Sequence, residues 1–216
     1  GYTNGSFSNA NRDGYVSYCE SHDEERSFFL AKHQGAGDLK TNDKARIARV
    51  PLNMAFLTLL NGPQMFYHFA EFGFDYSKWQ SAEGKWGTDD GGKAPYGMSG
   101  VANYNYKMEV KKRPESWLYE GAWRTQAFHK VGQAIQLRTR LLPEVFEGNP
   151  SKVDIGGGKI IRTIQWGSDV FVAGNFSVSE EKTVTIPDGI WYNYYEQTQQ
   201  KETTVTLAPG ALLILT

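Results

Sequence analysis

Residues 15–69 carry one strand, a loop, a helix and a second short strand, and no further strand signal appears before residue 143. This spacing constrains the fold more than any other feature. Two strands joined through a helix pair in parallel, with a right-handed crossover. Parallel strands are normally covered on both faces, so two alone leave open edges and bare apolar surface. The first strand is read at 15–20 and is rich in Tyr and Val. It runs directly into Glu20-Ser21-His22-Asp23-Glu24-Glu25-Arg26. An imidazole and a carboxylate therefore sit side by side at its C-terminal tip, where parallel α/β folds build active sites.

Residues 1–14 are polar and rich in Gly and Asn and read as a loop or frayed arm, and residues 32–43 read as a polar loop. Thr41 or Asn42 can cap a helix running from about Asp43 to Leu60, with Ile47, Val50, Met54 and Leu57 along one stripe. Pro51 should kink it, and Asn61-Gly62-Pro63 stops it. Residues 64–69 then read as a short strand of the kind buried on both faces. Residues 70–122 lack periodicity and interleave glycines with Trp79, Trp86, Tyr96, Tyr104 and Tyr106; a loop this long is functional or disordered. A second helix is expected from Trp123 to Leu142, burying Ala127, Phe128, Val131, Ile135 and Leu142, and ending at Pro143.

Beyond Pro143 the texture changes. Seven segments (152–155, 159–166, 169–176, 181–186, 190–195, 202–207 and 211–215) cluster or alternate β-branched and aromatic residues between turn signals. Short strands at this spacing predict an antiparallel β-sandwich, with a domain boundary near residue 143. Gly156-Gly157-Gly158-Lys159 lacks the spacing of a phosphate loop and reads as a turn.

Charge and composition exclude several functions. The formal net charge is −1, from 23 basic and 24 acidic residues, so no basic field exists to hold nucleic acid. No apolar run approaches the roughly 18 residues needed for a membrane span. His33, His68 and His129 show no metal-ligand spacing. Cys19, the single cysteine, rules out an internal disulfide and reads as a small buried hydrophobe. As a nucleophile it would need a base, and strand spacing turns His22 to the other face. Aromatic residues make up 14% of the chain, which suits either a core or a surface that stacks on sugar rings.

A closed (β/α)8 barrel takes about 250 residues, and only about 140 precede the β-rich part. The simplest expectation is the C-terminal part of a larger enzyme: the last two βα units of a TIM barrel over residues 1–142, then a β-sandwich over 143–216. The fold class is thus α/β plus all-β. The open strand edges are expected to be covered by a partner copy, by the long loop, or left exposed and prone to self-association.

The residues also resemble a known family. Glu20-Ser21-His22-Asp23-Glu24 is similar to the strand-seven signature of the α-amylase superfamily (glycoside hydrolase family 13), with Ser21 in place of the usual Asn. Gly62-Pro63-Gln64-Met65-Phe66-Tyr67-His68-Phe69-Ala70-Glu71-Phe72-Gly73 resembles its strand-eight segment, which commonly ends in Glu-x-Gly. Arg113-Pro114 followed by Trp117, Leu137-Arg138-Thr139-Arg140, and Thr206-Leu207-Ala208-Pro209-Gly210-Ala211 resemble later elements in the same order.

The resemblance implies a retaining glycosidase acting on α-1,4-glucans such as starch, glycogen and maltooligosaccharides. Retention uses two carboxyl groups about 5 Å apart. In the family these follow strands four and five, and neither segment occurs in this sequence. Asp23 matches the third acidic residue, the transition-state stabiliser, and His22 would donate a hydrogen bond to the same sugar ring. Such contacts strengthen as charge develops. Without a family pattern, the pair could equally be a solvated strand-end turn. Glu71 is a candidate substrate contact or a structural partner at the barrel rim, and Arg113 contacts substrate or braces the rim. Trp79 and Trp86, with Tyr96, stack on glucose units or pack the loop.

No cofactor is implied for this chain, since the family's usual calcium site lies mainly in a domain inserted earlier in the barrel. The chain alone should be inactive. Related bacterial enzymes are exported, although no signal peptide is visible here. Two alternatives stay open: a carbohydrate-binding or interaction module without catalysis, and part of a branching or transglycosylating relative.

Overall fold

The computed structural model describes residues 16–21, 25–77 and 122–216. Strands β1 (Ser17–Tyr18) and β2 (Gln64–Met65) pair in parallel, Ser17 opposite Gln64 and Tyr18 opposite Met65. Each is shorter than the sequence predicts. Residues 64–69 are half-buried, not buried on both faces as expected. The cause is local: Phe69 takes a left-handed conformation (φ 65°) and starts a 3-10 turn over Ala70–Phe72, which Gly73 ends at φ 65°. A Cβ at Gly73 would lie 2.7 Å from Val50 Cγ2, so only glycine fits there.

Between the two strands lie four helices: α1 (Ser27–Gln34), α2 (Asp38–Thr41), α3 (Asp43–Ile47) and α4 (Val50–Thr58). The expected 32–43 loop is thus largely helical. Buried Phe28 and Phe29 anchor α1, although its polar remainder hides it from periodicity. Asn42 caps α3 as anticipated, its Oδ1 accepting from the Ala45 N–H at 3.1 Å. The single helix expected over 43–60 is divided at Ala48–Arg49. Pro51 does not kink it. It occupies the first turn of α4, where a missing N–H costs nothing.

Helix α5 (Ala122–Gln136) continues into a π turn over Leu137–Leu141, where the Leu142 N–H donates to Leu137 O at 3.0 Å. Its buried stripe is Arg124, Ala127, Val131 and Ala134. Phe128 and Ile135, expected inside, are 38% and 37% exposed. Small residues on the inner face let α5 lie close against α4, while Phe128 covers the 3-10 turn by stacking on Phe72 at 4.6 Å.

The remainder is antiparallel. A six-stranded sheet has the order β3 (Lys152–Asp154), β4 (Ile161–Trp166), β5 (Val170–Asn175), β10 (Leu212–Leu215), β7 (Trp191–Asn193), β8 (Thr198–Gln200). A separate ladder joins β6 (Lys182–Thr185) to β9 (Thr204–Leu207). Polar β8, with no apolar residue, is the strand the sequence does not announce. The expected turns at Gly156–Gly158 and Pro209–Gly210 are present. Gly210 sits at φ 79°, and the Ala211 N–H donates to Ala208 O at 2.9 Å, as Pro-Gly turns of this hand require.

Both faces of the large sheet are covered. Val170, Val172, Ile164, Trp166 and Ile214 face α4 and α5 and share one core with Leu52, Ala55, Phe56, Leu59 and Leu137. Phe171, Ala173, Leu213 and Leu215 face the small ladder and pack with Val184, Ile186 and Leu207. This explains why β5 is buried at every position. The Trp166 indole N–H donates to Leu59 O at 2.8 Å, satisfying a carbonyl at the end of α4 from across the core. Replacing Trp166 by Phe strands that buried carbonyl and should lower unfolding free energy by about 1–3 kcal/mol in urea titration; an unchanged midpoint would show that water replaces the bond freely.

Candidate active site

The sequence points to the C-terminal tips of β1 and β2. His22, Asp23, Trp79, Trp86 and Arg113 lie outside the described residues, as do Tyr96 and most of the 70–122 loop. What is described is the frame on either side of residues 22–24. Glu20, Ser21, Glu25 and Arg26 are all buried there.

That frame is an ion pair closed over a short stretch of chain. Arg26 Nε lies 3.1 Å from Glu20 Oε1, with the two side chains 1% and 2% exposed. Glu20 Oε2 accepts from the Ser27 N–H at 2.7 Å, and Ser27 Oγ lies 3.3 Å from Cys19 O, to which it donates. The chain just before residues 22–24 is therefore bound to the chain just after them. Burial pushes the Glu20 carboxyl up, and the Arg26 charge and the Ser27 N–H oppose that rise. Burial likewise pulls the Arg26 guanidinium down, against the Glu20 charge.

Arg26 also reaches the second strand tip. Its Nη2 donates to His68 O. Its guanidinium carbon stands 4.6 Å from the centres of both the Tyr67 and Phe74 rings. Contacts of this kind are strongest where water is excluded. Glu71 does not end a strand as expected; it is half-buried in the 3-10 turn beyond β2. Its charge acts on both Glu20 and Arg26, which joins it to the frame.

A second ionic group lies beneath. Asp75 Oδ2 is 3.2 Å from Arg46 Nη2, 3.4 Å from Arg124 Nη2 and 3.7 Å from Lys32 Nζ. Arg124 Nη1 donates to Phe72 O and Gly73 O at 2.9 and 3.0 Å, and Arg46 Nη1 donates to Leu39 O at 2.8 Å. Buried Glu25 accepts from Ser77 Oγ at 2.7 Å. Sequence reasoning missed these residues, although a signal existed: Arg46 and Arg124 fall on the apolar stripes of their helices. Arg138, in the Leu-Arg element singled out from sequence, donates to Thr58 O, Leu60 O and Gly62 O, capping α4 and bracing the approach to β2.

Cys19 is half-buried and packs against Phe28 and its neighbours. It borders a cavity of about 260 Å³ also lined by Tyr18, Asn53, Phe56, Arg162 and Phe176. Burial, helped by the Glu20 charge, pushes its thiol up to about 11, so it holds no thiolate at neutral pH. Among the described residues no group of His, Cys, Asp or Glu is arranged to hold a metal ion, and no helix is long and apolar enough to cross a membrane.

No protein-family model matches the sequence, and no curated protein does. Solved structures do. An α-amylase from Geobacillus thermoleovorans, complexed with acarbose, is 14% identical with a TM-score of 0.53; the match covers 93% of this chain and 38% of that one. A pullulanase from Anoxybacillus, complexed with maltotriose, is 15% identical with a TM-score of 0.63, over 93% and 26%. A trehalose-6-phosphate hydrolase from Bacillus licheniformis is 13% identical with a TM-score of 0.55, over 93% and 42%. At these identities the likeness is one of fold. The chain has the fold of a region of α-amylase-type structures and spans less than half the length of each of the three.

Two outcomes follow from this geometry. Arg26→Met leaves Glu20 buried and unpaired and should cost about 3–5 kcal/mol, whereas Glu20→Leu with Arg26→Met should recover most of it in a double-mutant cycle. Additive losses would mean the pair is not coupled. Alkylation of Cys19 should be slow at pH 8 and accelerate toward a midpoint near pH 11, because only the thiolate attacks; a midpoint near the ordinary value of 9.0 would contradict its burial.

Proposed function

We propose that this chain is the C-terminal part of an α-amylase-type glycoside hydrolase acting on α-1,4-glucans by a retaining mechanism. On this reading residues 1–142 contribute the last two βα units of the catalytic barrel and residues 143–216 form the trailing β-domain. The observation that carries it is the agreement of two likenesses: the ordered motifs of the sequence and a fold match over 93% of the chain to an α-amylase structure. The parallel β1–β2 pair, with the Glu20-Ser21-His22-Asp23 run at the tip of β1, supports the same assignment.

The chemistry divides between this chain and the rest of the enzyme. The nucleophile and the acid would come from strands four and five of the barrel. Asp23 would accept hydrogen bonds from hydroxyls of the sugar at the cleavage point and favour the positive charge that develops on the ring. His22 would donate to the same ring. Trp79, Trp86 and Arg113 are proposed substrate contacts, and Glu71 joins them through the buried frame. The substrate class finds support in the solved relatives, complexed with acarbose and maltotriose. Export from a bacterial cell belongs to the same proposal.

The test is an activity assay on two proteins. The 216-residue chain should release no reducing sugar from starch. In a complete enzyme containing this sequence, Asp23→Asn should lower kcat/KM by roughly 10²–10³-fold, the scale of losing one group that stabilises developing charge. Amylase-level turnover by the chain alone, or full activity in the Asp23 variant, would overturn the assignment.

A further inference from the structure

We infer that the cavity between β1, α4 and the large sheet binds a small organic carboxylate with a compact apolar body, taken up by the Arg162 guanidinium and the Asn53 amide. This goes beyond the functional reading above and does not depend on it. The cavity measures about 260 Å³, close to the small end of pockets that take small molecules. Phe56, Leu60, Ile155 and Phe176 give it apolar walls, and Arg162 and Asn53 bring polar groups to it. Arg162 is the anomaly. Along β4 it shares a face with Ile164 and Trp166, which are 0% and 3% exposed in the core against α4. It stands opposite Gly174, where Leu52 and Phe56 approach the sheet. An arginine thus occupies a position on an apolar stripe.

Its charge has no counterpart. Arg46 and Arg124 meet Asp75, Arg26 meets Glu20, and Arg49 and Arg138 donate to carbonyls. Arg162 is half-buried, its guanidinium carbon 4.4 Å from the centre of the Phe176 ring. Only its Nε donates, at 3.4 Å, to Lys159 O; among the described residues nothing accepts from its two Nη groups. The acids nearby are taken: Asp154 pairs with Lys159 at 2.6 Å, and Glu20, whose charge acts on Cys19, pairs with Arg26. Burial pulls the Arg162 guanidinium down, and no carboxylate opposes it. The Asn53 side chain makes no hydrogen bond among the described residues either, while Ser27 Oγ is engaged with Cys19 O. One guanidinium fork and one amide suit the two oxygens and single charge of a carboxylate. The apolar walls suit a hydrocarbon body and would leave the hydroxyls of a sugar without partners.

The experiment titrates the ¹⁵N-labelled 216-residue chain with 3-phenylpropionate and with its neutral isostere 3-phenylpropionamide, following amide chemical shifts. 3-Phenylpropionate should shift the signals of Cys19, Asn53, Ile155 and Arg162, which come from three separate walls of the cavity. The amide should bind at the same place about tenfold or more weakly, the scale of losing a hydrogen-bonded charge pair. Arg162→Gln should weaken 3-phenylpropionate by a similar factor and change the amide by less than about twofold, which assigns the discrimination to this guanidinium. The comparison of acid and amide on the unaltered chain stands even if the Gln variant folds poorly. Equal affinities for acid and amide, shifts confined to residues away from the cavity, or no saturable shift with millimolar 3-phenylpropionate overturns the inference. Glucan hydrolysis enters none of these readouts, so failure of the functional reading would leave this result unaffected.

Discussion

The packing of α4 onto the large sheet is the constraint on which the rest of the molecule depends. Gly174 in β5 has no side chain where the Leu52 and Phe56 side chains approach; a Cβ there would lie 2.7 Å from Phe56 Cε2. The helix therefore lies close against the strand, and Leu52, Ala55, Phe56 and Leu59 enter the same core as Ile164, Val172 and Ile214. Arg49 donates to Ser177 O at 2.6 Å at one end of the helix, and Trp166 donates to Leu59 O at the other. Burial at this contact provides the main favourable free energy, while the two polar bonds mainly set its register.

From that anchor the site frame follows. Helix α4 leads through Leu60 and Gly62 to β2, and the Arg138 guanidinium binds the carbonyls along that path. Strand β2 holds β1, and Arg26 joins the ends of both. A two-residue parallel pair contributes little by itself, because its ladder is short and neither strand is buried, Tyr18 being exposed and Ser17, Gln64 and Met65 half-buried. Its geometry is held by charged groups that would be expensive to leave unpaired in the interior. The sheet and helices supply stability, and the ionic groups supply position.

The elements that were legible in the sequence share one property: each is specified by neighbours along the chain. Asn42 caps α3 because its side chain reaches an amide three residues on. Pro209-Gly210 turns because only glycine accepts φ 79° there. Ala127 and Val131 repeat with the period of a helix. Where periodicity failed, a distant partner had overruled it. Phe128 leaves the core to cover Phe72, and α1 is held by Phe28 packing with Ala70, Ala127 and Val131 far along the chain.

The candidate site divides along the same line. By itself the sequence determined the succession strand, helix, strand and then short antiparallel strands, and it marked Glu20 to Arg26 as the run richest in chemistry, since backbone preference and motif spacing are local. Only the tertiary structure decided what that run is attached to. It turned Glu20 and Arg26 from two charges in an acidic stretch into a buried pair, and it placed Tyr67, Phe74 and His68 around one guanidinium. It likewise gathered Arg46, Asp75 and Arg124 from three separate segments. The physical reason is desolvation: a charge selects its partner only once folding has removed water, and which residues lose water together depends on contacts that sequence spacing does not encode.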